Sequence, residues 1–212
     1  MTSKNHSEAQ AADQIAFVDA MMDRGRRAAA DDGVHLIVWG ALATLSLLAQ
    51  YVAEVRDWAP SAVLWRWQPV FLLGCLLSLG VSRRFGAGRV RDNAATRTYR
   101  TAFAAALITV ASYLLGAGGA GRPDPVTAVV VLCGTLGAAF LVASTATGLR
   151  WLSAVAAAWW ALLMWFAARD RLVLTDFFVL AAAATLLLSG PGLRLSWTAR
   201  RRRDATTPAA VP

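Results

Sequence analysis

Between about residue 33 and residue 190 the chain alternates long apolar runs with short clusters of charge. A helix needs ~20 apolar residues to cross the ~30 Å hydrocarbon core at 1.5 Å per residue. In lipid every backbone amide must find its partner within the segment, so a run of that length predicts a spanning helix. Six runs meet or approach the requirement, at about 33–52, 62–81, 101–118, 126–147, 151–168 and 172–189. The second is short and reaches residue 62 only if Arg66 snorkels towards water. The third fades into a glycine-rich stretch after Leu115, the fourth carries no charge, and the sixth is expected to stop at Gly190-Pro191-Gly192. The pattern therefore predicts an all-α fold, an integral membrane bundle of six transmembrane helices.

The flanks read differently. Residues 1–32 form a polar leader in which Glu8 to Ala30 predict an amphipathic helix: Ile15, Val18 and Met22 recur at helical spacing, with Phe17 and Met21 beside them. Such a helix suits the cytoplasmic leaflet, the inner mouth of the bundle or a partner protein equally well. Residues 191–212 are basic and then rich in Ala, Pro and Thr, which predicts a disordered cytoplasmic tail.

Charge fixes the expected orientation. With the N-terminus inside, sixteen of the 21 basic residues fall on the cytoplasmic side and five outside. Both termini are thus expected in the cytoplasm and the protein in a cell inner membrane. The preference for Arg over Lys, together with the abundance of Ala, suggests a bacterium with a GC-rich genome. Tryptophans agree with the topology: Trp58, Trp65, Trp67 and Trp165 gather at the outer boundary, and Trp39, Trp151 and Trp197 at the inner one. Trp159 and Trp160 lie mid-span, where one ring should face the bundle and the other lipid. The net charge of +8 needs no nucleic acid to explain it, since no recognition helix accompanies it.

Candidate chemistry is sparse. Asp176 is the one acidic residue inside an expected span, and a carboxylate there costs a few kcal/mol unless paired. Gln50, Gln68, Tyr113 and Thr127 fall at or above its depth, so the five could line a polar chamber open to the outside. The opposite face is basic: Arg24, Arg26 and Arg27 in the leader, and Arg83, Arg84, Arg89 and Arg91 in the second inner loop, suit anionic lipid headgroups. Gly134/Ala138 and Ala154/Ala158 have the spacing that lets helices approach closely.

Several classes are unsupported. Cys75 and Cys133 belong to no metal or redox motif, and His6 and His35 do not supply the two inward imidazoles that bis-histidine haem needs. No serine, metallo or aspartyl intramembrane protease motif occurs, nor a nucleotide-binding loop. No catalytic residue, metal ligand or cofactor is expected. Two readings remain: a non-enzymatic membrane module acting through protein partners, a second copy of itself or anionic lipids, and a small permease using the Asp176 chamber.

Overall fold

A computed structural model of the chain describes residues 2–56, 70, 72–80, 94–119 and 124–206, with no strand among them. Six helical elements are delimited: α1 (Thr2–Val55), α2 (Ala94–Gly119), α3 (Pro125–Thr147), α4 (Trp151–Ala167), α5 (Leu174–Ala184) and α6 (Gly190–Thr206). A π-helical turn, Thr185–Ser189, joins α5 to α6 without a break. Four stretches are long and apolar enough to cross a membrane: Gly33–Val55, Arg97–Ala117, Pro125–Thr147 and Leu174–Thr198. Trp151–Ala167 is apolar but shorter. Their outward faces are oily, with Met164 71% and Leu186 69% exposed, the reverse of a water-facing surface.

Unbroken helix runs through two of the expected boundaries. Gly33 does not separate a leader helix from a span, because α1 is one helix of 54 residues, about 81 Å at 1.5 Å per residue. Nor does Gly190-Pro191-Gly192 end the sixth segment, since the helix continues to Thr206. Proline lacks an N–H, and its ring would strike a carbonyl of the preceding turn. The widened turn just ahead of Pro191 relieves that clash: Gly190 N–H reaches back five residues to the Thr185 carbonyl. Elsewhere the local signals hold. Asp124 caps α3 by accepting from the N–H groups of Val126 and Thr127, Pro125 opens the helix, and Gly148 ends it at φ 67°.

The long helical rod α5–π–α6 runs antiparallel along α1, and small residues bring the two together. A β-carbon on Gly192 would lie 2.5 Å from the Gly33 carbonyl, and one on Gly33 would lie 2.7 Å from the Gly192 carbonyl. Two turns on along α1, Gly40 faces Ser189 as closely, and Thr44 Oγ1 pairs with Thr185 Oγ1 at 2.8 Å. Further along, Tyr51 meets Phe178 with ring centroids 4.3 Å apart. On the other side, α3 packs between α2 and α4 around buried Cys133, Phe140, Ala156 and Trp159. Phe103 meets Phe140 edge-on at 5.1 Å. Leu188 of the π turn joins this cluster, whereas Leu47, Phe166 and Leu180 form a second one beneath α5.

Of the expected small-residue pairs, Gly134 and its neighbour Gly137 receive Leu163 and Trp160, while Ala138 and Ala154 are exposed. Trp159 is 2% exposed and Trp160 39%, so the adjacent rings divide between core and surface. The stretch 72–80 packs Gly74 against the Trp39 ring, and Trp39 Nε1 donates to Ser78 Oγ at 3.0 Å. Cys75 and Cys133 are free thiols.

Replacing Gly192 with Ala should strain the α1–α6 contact by about 1–3 kcal/mol, because the new methyl meets backbone that cannot rotate away. Gly116→Ala, where nothing lies within 4 Å, should cause no loss. Melting midpoints in detergent check the pair, and equal midpoints would remove the close contact from the account of this fold.

Candidate functional site

Asp176 sits in the first turn of α5 and is 2% exposed. Its Oδ2 accepts from the Val173 N–H at 2.8 Å, and its own N–H donates to the Val173 carbonyl at 2.9 Å. Valine has no side-chain acceptor to complete a capping box, so the carboxylate alone holds this helix start. Its other oxygen, Oδ1, lies 3.7 Å from an Arg169 guanidinium nitrogen. Arg169 in turn stacks over the Trp165 ring at 4.8 Å. Burying this carboxylate is thus offset by a backbone donor and a nearby cation.

Gln50 lies on α1 about one helical turn from the level of Asp176. Thr44 opposes Thr185 and Tyr51 opposes Phe178, so in this antiparallel register Asp176 comes level with Ala53, three residues (about 4.5 Å) beyond Gln50. Gln50 is 3% exposed; its Nε2 donates to Glu54 Oε1 at 2.7 Å, while its own Oε1 is buried without a partner. A buried acceptor left unpaired costs about 1–3 kcal/mol, so this carbonyl is the group in the seam with unused hydrogen-bonding capacity.

Tyr113 and Thr127 gather elsewhere. Tyr113 Oη donates to the Asp124 backbone carbonyl at 3.2 Å, and the Thr127 hydroxyl and N–H both donate to Asp124 Oδ2. Of the five polar positions expected in one chamber, Tyr113 and Thr127 meet at Asp124, Gln50 and Asp176 lie about one turn apart with separate partners, and Gln68 lies outside the described residues. Sequence reasoning missed Glu54, Arg169 and Asp124. The signal for Asp124 was present in Asp-Pro-Val-Thr, where an acceptor precedes a helix-opening proline.

Of the basic residues expected at headgroups, Arg83, Arg84, Arg89 and Arg91 lie outside the described residues. Arg24, Arg26 and Arg27 fall on the α1 backbone, with their side chains outside the description. No group of three His, Cys, Asp or Glu side chains that could hold a metal occurs among the described residues. A single paired carboxylate beside an amide can anchor helices and accept a hydrogen bond, but it provides no acid–base pair. Comparison with protein families, with curated proteins and with solved structures gives no match.

The Asp124 carboxyl lies below the usual carboxylate range, chiefly because the Thr127 hydroxyl hydrogen-bonds its charged form. Its contribution to stability is therefore present above the unfolded pKa of about 3.9 and disappears as pH falls through the lower folded value. The group is exposed, so the effect is small. On acidification below about pH 4, the wild-type melting midpoint should fall further than that of Asp124→Asn, which does not titrate. Superimposable acid profiles would disprove the linkage.

Proposed function

We propose that the chain is a six-span protein of a bacterial plasma membrane, with both termini in the cytoplasm, which acts without catalysis by presenting the start of α1 to a protein partner. The observation that carries this reading is the overhang of α1. Its apolar span begins at Gly33, so residues 2–32 extend about 46 Å beyond the point where the span starts. From the Gly33–Gly192 contact, the antiparallel register brings the end of α6 beside the part of α1 just before Gly33. Ile15, Phe17 and Val18 lie further out, past the reach of α6, and are 64%, 60% and 52% exposed. Apolar side chains on a projecting helix are the usual anchors of helix recognition.

The six crossings combine the four long helices with Trp151–Ala167 and the stretch 72–80, whose contact with Trp39 sets it beside α1. An even number of crossings returns the chain to its starting side, where the basic residues are concentrated. A second reading, a small permease, draws on the unpaired Gln50 carbonyl about one turn from the level of Asp176. Against it, Asp176 is committed to a helix start and an ion pair.

Orientation is tested by single cysteines in a Cys75→Ala, Cys133→Ala background. Ala12→Cys and Ala205→Cys should react with an impermeant maleimide only from the cytoplasmic side, and Asp170→Cys only from the outside. Labelling of Ala12→Cys and Asp170→Cys from one common side would rule out this topology.

The functional reading is tested on the full chain extracted in mild detergent. Its native-gel size should exceed that of the bare chain and collapse when Ile15 and Val18 are both changed to Glu. An unchanged size overturns the partner reading. In proteoliposomes holding a pH-sensitive dye, the proton leak should equal that of empty vesicles; a leak abolished by Asp176→Asn would instead establish the permease.

A further inference from the structure

At the end of the bundle where α4 begins and the apolar part of α6 stops, arginines and tryptophans interleave. The Arg194 guanidinium of α6 lies 4.5 Å from the centroid of the Trp151 ring, which opens α4. Arg150, immediately before that ring, is exposed. Arg201 covers Trp197 at 3.7 Å. Arg194, Trp197 and Arg201 are spaced three and four residues apart on α6 and so share one helix face. None of these three arginines makes an ion pair with a described residue.

We propose that this surface binds the phosphate of an anionic phospholipid. A guanidinium laid on an indole is held in place by the ring, yet keeps its edge N–H groups for phosphate oxygens. Three positive charges match an anionic headgroup better than a zwitterionic one. Depth identifies a lipid as the occupant. The apolar stretch ends at Thr198, so Arg194 and Trp197 lie in its last turns, at the level of headgroups. Leu193 beside them is 58% exposed and Trp197 54%, an apolar flank on which an acyl chain can lie and a soluble anion gains nothing. The inference rests on the chain being in a membrane and is independent of any partner on the α1 overhang; a failed overhang test leaves it intact.

The test uses the full chain in mixed micelles of phosphatidylcholine and phosphatidylglycerol in equal amounts, with retained lipid identified by native mass spectrometry. The wild type should retain phosphatidylglycerol in preference. Arg150→Gln and Arg194→Gln should each weaken that retention roughly fivefold, the share expected of one basic residue at a membrane surface. Arg171→Gln, an exposed arginine beyond the other end of α4, should leave it unchanged. Melting in phosphatidylcholine alone separates a lost site from a lost fold. Should Arg194→Gln unfold the protein, Arg150→Gln reads the same site through a side chain with no described partner. Unchanged retention in the Arg150→Gln, Arg194→Gln double variant, or an equal loss in Arg171→Gln, overturns the proposal. Displacement of the lipid by millimolar inorganic phosphate would assign the site to a soluble anion instead.

Discussion

The architecture depends on the approach of two backbones at Gly33 and Gly192. Lipid tails are as apolar as leucine, so helices in a membrane gain little from hiding apolar surface against one another, and close packing has to hold them. Without β-carbons at these positions the carbonyl of each helix can rest against the other. That contact sets the antiparallel register that continues through Gly40 and Ser189, Thr44 and Thr185, and Tyr51 and Phe178. It also determines what else shares a level: Ala53 with Asp176 at one end, and the beginning of the overhang with the end of α6 at the other.

The class of fold was legible in the sequence because it follows from one local quantity, the length of uncharged apolar runs. Four of the six expected runs appear as helices of spanning length, and Trp151–Ala167 as a shorter apolar helix. The helix ends were less legible. The boundary at residue 33 follows from the change from polar to apolar sequence, and Gly190-Pro191-Gly192 reads as a helix end because glycine and proline, taken locally, weaken helices. In the fold, Gly33 and Gly192 serve a contact between segments far apart in the chain, and a π turn accommodates Pro191. No window drawn around either segment contains that information.

The candidate site shows the same division. The burial of Asp176 could be anticipated from its place in an apolar run, but its partners could not: Arg169 lies outside the run, and the Val173 N–H becomes available only once the helix starts there. Depth alone grouped Tyr113 and Thr127 with Asp176. Their hydroxyls instead meet the residue that caps α3, Thr127 from three residues along the same helix and Tyr113 from the neighbouring α2.

The unbroken course of α1 has a mechanical consequence. A leader joined by a flexible linker would swing freely, and whatever held its tip would leave the membrane part undisturbed. Here Val18 and Gly40 belong to one rod, separated by about 33 Å of continuous helix. A sideways pull at the tip becomes torque on the bundle, with the glycine contact near the fulcrum. The part of the helix within the membrane therefore tilts with its load, and the glycine contact takes up that leverage.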